Sequence, residues 1–169
     1  MKLCIFVKKK MFRVGFGYDV HRLAKGEKLV LGGVEIAFEK GTVGHSDADV
    51  LVHSIIDAML GAVAQKDIGF WFSDKDERYR GIDSMILLSR TNEIVRNSGY
   101  AIGNIDCTIV MQRPRLRDYI DAMRDRIAGV LGIEIANVSV KATTSEGMGF
   151  EGKEEGVSAY SVVLVFDNK

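Results

Sequence analysis

The stretch from His45 to Asp57, His-Ser-Asp-Ala-Asp-Val-Leu-Val-His-Ser-Ile-Ile-Asp, constrains this chain more than any other and holds two of its three histidines. Ser46, Asp47 and Asp49 are N-cap residue types, and the apolar side chains Leu51, Ile55, Ala58, Met59 and Ala62 recur at helical spacing. A helix is therefore predicted to start near Asp47 to Asp49 and to end near Gly61 to Ala64. Asp49, His53 and Asp57 follow one another at four-residue spacing, so an imidazole and two carboxylates share a stripe that is otherwise hard to bury. His45 and Ser46 fall just outside the positive end of this helix, where free N–H groups and aligned peptide dipoles favour an anion such as phosphate. The stretch thus offers a metal ligand and an anion site together. A single helical histidine is, however, more often a surface residue or a satisfied core residue than a ligand.

Upstream, Phe12 to His21 reads as an opening strand containing Gly15 and Gly17, and alternation places Asp19 and His21 on one face. With His53 these make three N/O ligands, the number used by a catalytic Zn²⁺ that keeps its fourth position open. A turn-capping Asp19 with a solvated His21 fits the same spacing. Leu29 to Leu31 and Val34 to Ile36 form a hairpin around Gly32-Gly33, and Glu39 to Thr42 reads as a polar loop. Gln65 to Arg80, with Phe70, Trp71 and Phe72 but no sustained period, reads as a long surface loop, either a lid or a mobile excursion. Asp83 or Ser84 caps a second helix carrying Ile86, Leu87, Ile94 and Val95, which Gly99 stops. Tyr100 to Met111 alternates as a strand. The stretch from Gln112 to Arg117 then brings the only proline and three arginines to the entrance of a third helix, which ends at Gly132. Arginines there suit a phosphate as well as a solvated turn. Val138 to Ala142 is a further strand. The hydroxyls, carboxylate and glycines from Thr143 to Phe150 make either a phosphate and Mg²⁺ cradle or a Thr/Gly-rich turn. A charged turn from Gly152 to Gly156 leads into a closing strand, Val157 to Phe166. This order predicts an α+β single domain, a mixed β-sheet with helices packed on one face.

At 169 residues the chain suffices for one compact domain with a real core. Its 47% apolar and 27% charged residues exclude disorder, and no apolar run approaches bilayer length, so no membrane span is expected. Lys plus Arg balances Asp plus Glu at 23 each, which argues against a nucleic-acid binder and means that any anionic ligand is held locally. Cys4 and Cys107 have no pair spacing, which points to a reducing compartment and a cytoplasmic protein. Met1 to Lys10 places an apolar run before a Lys triplet, the reverse of a secretory signal. Residues 1–10 are expected to be an N-terminal extension, disordered or non-native, with Met11 an alternative start and residues 11–169 the domain.

From Phe12 onward the chain resembles the 2-C-methyl-D-erythritol 2,4-cyclodiphosphate synthases of the non-mevalonate isoprenoid pathway. The resemblance rests on Gly17-Tyr18-Asp19-Val20-His21, His45-Ser46-Asp47-Ala48-Asp49, His53 with Asp57, Asp67-Ile68-Gly69, and Lys141-Ala142-Thr143-Thr144-Ser145-Glu146 with Gly149-Phe150. It implies a homotrimer with active sites between subunits and a hydrophobic axial cavity that can take an isoprenoid diphosphate. It also implies Zn²⁺ on Asp19, His21 and His53, and Mg²⁺ (or Mn²⁺) on Glu146 and the substrate diphosphate. The implied lyase reaction turns the cytidine-diphosphate-linked methylerythritol 2-phosphate into the cyclic diphosphate and releases CMP, with His45 and Thr144 stabilising the transition state.

By the same resemblance the substrate contacts are Ser46, Asp67, Ile68, Gly69, Phe72, Ser73, Asp74, Lys75, Asp76, Met111, Gln112, Arg113, Pro114, Arg115, Leu116, Arg117, Thr143, Ser145, Phe150 and Lys153. Asp57, one turn beyond His53, is expected to orient its imidazole. Tyr18, Ser145 and Lys153 depart from the familiar Phe, Thr and Arg, and nothing resembles a fused cytidylyltransferase domain. A Zn-dependent phosphohydrolase on the same triad and a non-catalytic nucleotide- or isoprenoid-binding trimer are the competing readings.

Overall fold

Two glycines let a helix lie directly on a strand in this protein, a computed structural model that describes residues 11 to 168. The expectation made for residues 1–10 lies outside the described residues. Strand β1 (Phe12–Lys25) passes under helix α1 (Val50–Ala62). A Cβ on Gly15 would stand 1.8 Å from the Ala58 carbonyl oxygen, and one on Gly17 would stand 2.0 Å from that of Ser54. Only glycine permits so close an approach. Alternation along β1 then carries Asp19 and His21 to the same face, beside α1.

The hairpin of β2 (Leu29–Leu31) and β3 (Val34–Ile36) forms as predicted, with Gly32 and Gly33 at φ +60 and +71. Their two N–H groups donate to the Asp49 carboxylate at 2.9 and 2.7 Å, and Val52 N donates to it at 3.1 Å. Asp49 is therefore the buried N-cap that ties the hairpin to α1. This removes it from the polar stripe it was expected to share with His53 and Asp57.

Among the described residues, strand β4 (Lys40–Val43), β5 (Tyr100–Val110), β6 (Val138–Thr143) and β7 (Gly156–Asp167) join β1 in a sheet of order β4-β1-β7-β5-β6. The β5–β6 pair is parallel and the others are antiparallel, which gives the expected mixed sheet. Two segments differ from the sequence reading. Residues 39–42, expected as a loop, overlap the edge strand β4, which pairs with Arg22 to Lys25 and lengthens β1 past His21. The Gln65 to Arg80 excursion is not structureless: it holds α2 (Ile68–Trp71) and a 3₁₀ turn at Glu77–Tyr79. Both elements are too short to show a period in sequence.

Helices α3 (Ser84–Asn97) and α4 (Ile120–Leu131) join α1 over the inner face, and the short α5 (Gly149–Gly152) precedes β7. Leu51, Ile55, Met59, Leu88, Ile105, Ile109, Met123 and Ile127 are fully buried between these layers. Cys107 lies in the same interior as a free thiol, pushed up to about 12 by burial. The outer face carries Phe12, Val14, Phe16, Tyr18 and Val20 of β1 and Tyr160 and Val162 of β7, all exposed, with Phe16 at 63%. No helix is long and apolar enough to cross a membrane among the described residues.

Candidate active site

Three side chains converge where β1 meets α1. Asp19 Oδ2 lies 2.9 Å from His21 Nε2 and 3.1 Å from His53 Nδ1, and the two imidazole nitrogens are 3.2 Å apart. The second nitrogen of His21, Nδ1, lies 3.0 Å from the Val43 carbonyl oxygen, which can only accept, so Nδ1 carries a hydrogen and Nε2 is the nitrogen turned to Asp19 and His53. A tetrahedral ion with ligands at about 2.0–2.1 Å separates its donor atoms by roughly 3.3 Å. The triangle observed is close to that size, and its donors fit a divalent cation.

Electrostatics agree with this reading. Burial alone would raise the Asp19 carboxyl, but hydrogen bonds and charge from His21 and His53 override it and hold the group well below the usual carboxylate range. Burial pulls His21 the other way, toward neutrality, yet the Asp19 carboxylate and the Val43 carbonyl outweigh it and raise its pKa.

The triad opens into a cavity of about 370 Å³ lined by His21, His45, Ser46, His53, Ile68, Gly69, Phe72 and Asp74, among others. His45 Nε2 is 3.3 Å from the Asp76 carbonyl oxygen. The Asp76 carboxylate is turned away to Arg78, whose hydrogen bonds lower its pKa. Asp67 caps α2 by accepting from Phe70 N at 2.9 Å, and Ser73 Oγ accepts from Lys75 N at 3.3 Å.

Asp57 does not orient His53 as expected. Its carboxylate accepts from Ile68 N at 2.7 Å, while His53 Nε2 lies 3.1 Å from Ser46 Oγ and 2.9 Å from Ser84 Oγ. An unpaired N–H at the start of α2 claims the acid first, and helical spacing alone could not reveal that competitor. Ser84 was missed as a partner of His53 because the two are 31 residues apart, with no local signal joining them.

Most of the remaining predicted residues line a second cavity, also about 370 Å³, formed by Met111, Gln112, Pro114, Arg115, Leu116, Arg117, Thr143 and Thr144 among others. No lining residue is common to the two cavities. Thr144 Oγ1 donates to Glu146 Oε1 at 2.9 Å, and Gly147 N donates to Gln112 Oε1 at 3.3 Å. Ser145 Oγ closes its own turn on the Met148 carbonyl oxygen at 2.7 Å. Arg113 turns elsewhere: its guanidinium meets Glu154 at 2.5 and 2.8 Å and Glu39 at 3.1 Å. The Phe150 ring packs against Gly156, and Lys153 lines a shallow polar depression with Arg22, Lys40 and Glu154.

Fold and site together define an α+β protein with a carboxylate and two imidazoles poised for a divalent cation beside an open cleft. The chain is 57% identical over 155 residues to the 2-C-methyl-D-erythritol 2,4-cyclodiphosphate synthase of Carboxydothermus hydrogenoformans, covering 92% of this chain and 95% of that one. The solved bifunctional IspDF of Campylobacter jejuni superposes with a TM-score of 0.91 at 38% identity, over 94% of this chain and 43% of that longer protein. The IspF of Plasmodium falciparum, solved as a CDP complex, superposes with a TM-score of 0.82 at 30% identity, over 96% of this chain and all of that one. The YgbB family model matches residues 12–166, and the chain belongs to that family.

Proposed function

We propose that this protein is a phosphorus-oxygen lyase of isoprenoid precursor biosynthesis, acting in the cytoplasm as a 2-C-methyl-D-erythritol 2,4-cyclodiphosphate synthase. The observation that carries the reading is the convergence of Asp19, His21 and His53 beside His45 in one open cleft. In the reaction, an oxygen of the 2-phosphate attacks the β-phosphorus of 4-diphosphocytidyl-2-C-methyl-D-erythritol 2-phosphate. The bond from that phosphorus to the bridging oxygen breaks, and CMP leaves with the oxygen. No water is consumed.

Asp19, His21 and His53 would hold Zn²⁺, and Glu146 a Mg²⁺ on the substrate diphosphate. Bound there, the cations supply charge neutralisation and orientation of the phosphates. His45 and Ser46 stand at the cleft, where a hydrogen-bond donor aimed at phosphate oxygens stabilises developing charge without reorganising. Thr144, whose hydroxyl hydrogen rests on Glu146 here, would do the same from the second cavity once Glu146 turns to the cation, and that cavity would take the cytidine end. In the homotrimer that this reading carries, one substrate would span the first cavity of one chain and the second cavity of its neighbour. The exposed apolar face of β1 and β7 supports the same homotrimer, with its lining turned toward a common axis.

Incubation with that substrate, Zn²⁺ and Mg²⁺, followed by phosphorus NMR, tests the proposal. Two coupled ring phosphates with stoichiometric CMP are expected. A linear diphosphate with CMP would instead indicate a phosphohydrolase, and unchanged substrate with folded, metal-loaded protein would indicate a binding module.

A further inference from the structure

His53 is approached from behind by two hydroxyls, and one of them is itself held by a carboxylate. The Ser84 side chain is wholly buried at the first position of α3. Its hydroxyl donates to Asp47 Oδ1, its backbone N–H donates to Asp47 Oδ2 at 2.9 Å, and its oxygen lies 2.9 Å from His53 Nε2. We propose that Asp47 and Ser84 act as positioning residues that fix His53 as its Nε2–H tautomer and so aim its Nδ1 lone pair at the cation site.

The argument is a count of hydrogens. An ionised carboxylate only accepts, so the single hydroxyl hydrogen of Ser84 is committed to Asp47. The Ser84 oxygen then has only lone pairs left for His53, and Nε2 must bring the hydrogen. Nδ1, which meets Asp19 and His21, is then the nitrogen left to face the cation, and any hydrogen it shares with the Asp19 carboxylate is the one a bound cation replaces. Ser46 Oγ, 3.1 Å from the same Nε2, is a second acceptor for that hydrogen, and it also accepts from Ala48 N at 3.2 Å. Its own hydrogen is therefore free for an anion in the cleft that it lines.

The backbone holds this arrangement in register. Gly81 N donates to the His45 carbonyl at 2.8 Å, and Asp47 N donates to the Ile82 carbonyl at 3.1 Å. The entrance to α3 is thus stitched to the segment that bears His45, Ser46 and Asp47. Asparagine at position 47 could not reproduce the contacts. With one oxygen and one NH₂, it would either push an N–H against Ser84 N or reverse the Ser84 hydroxyl toward His53.

The inference rests on reading Asp19, His21 and His53 as a metal site, and its test separates the two. Zn²⁺ affinity is measured by chelator competition for the wild type, Ser84→Ala and Asp47→Asn, with the His53 ring nitrogens followed by ¹⁵N NMR in the Zn²⁺-loaded protein. The wild type is expected to bind Zn²⁺ and to show the Nε2–H form. Each folded variant is expected to bind about 10- to 100-fold more weakly, with the Nε2–H signal exchanging faster with water once its Ser84 acceptor is lost or reversed. Wild-type protein that takes up no Zn²⁺ would overturn the metal site itself. Variants that keep wild-type affinity and wild-type Nε2–H exchange would overturn only the relay. Should Ser84→Ala fail to fold, Asp47→Asn, which keeps the side-chain volume, decides.

Discussion

His53 uses both ring nitrogens, Nδ1 toward Asp19 and His21 and Nε2 toward Ser46 and Ser84, whereas Thr144 touches Glu146 in a different cavity. The two residues should therefore fail differently. His53→Ala is expected to lose bound zinc and turnover together. Thr144→Ala is expected to keep one zinc per chain and lose turnover by about 10²- to 10³-fold, the usual cost of a donor to developing charge. Zinc content by mass spectrometry set beside CMP release checks both, and turnover by metal-free His53→Ala would contradict the catalytic assignment. At this scale Asp19, His21 and His53 were legible because strand alternation and one helix start fix their directions from local sequence. The Asp57 role failed because four-residue spacing gives proximity on a helix but not the competing N–H of Ile68. Ser84 was invisible for the related reason that its contact is made only by the fold.

Among the elements, the contact of α1 with β1 sets the distance between ligands on the strand and the ligand on the helix. No layer of side chains separates the two backbones at Gly15 and Gly17. Gly17→Ala should therefore push α1 outward, at a cost of about 1–3 kcal/mol as in other overpacked sites. Zinc affinity should weaken with it, because Asp19 is two residues further along the same strand. Denaturant unfolding and chelator competition read the two effects, and full stability in Gly17→Ala would contradict the contact. By contrast, Gly61→Ala should be stabilising or neutral, since a Cβ there meets nothing within 4 Å. Long periodic elements such as α1, α3 and α4 were readable from sequence. Strand β4 and helices α2 and α5, at four residues each, were not, because a period needs more length than they have.

For the whole molecule, the division of the predicted residues between two cavities makes a prediction that no single-chain mechanism shares. If each site takes the His53 side from one subunit and the Thr144 side from its neighbour, inactive His53→Ala and Thr144→Ala chains should complement one another. Random mixing in a closed ring leaves about one site in four with both halves intact, so co-expressed chains should recover about that share of wild-type turnover. Complete inactivity of demonstrably mixed trimers would count against a shared site. The uncovered sheet face, with Phe12 and Phe16 each more than 60% exposed, adds a consequence for the cell. If the chain assembles through such a face, assembly follows mass action, and output would fall faster than abundance when the chain is scarce. A modest drop in gene dosage would then cost more flux than its own proportion, and the concentration of the protein would act as a control on its activity.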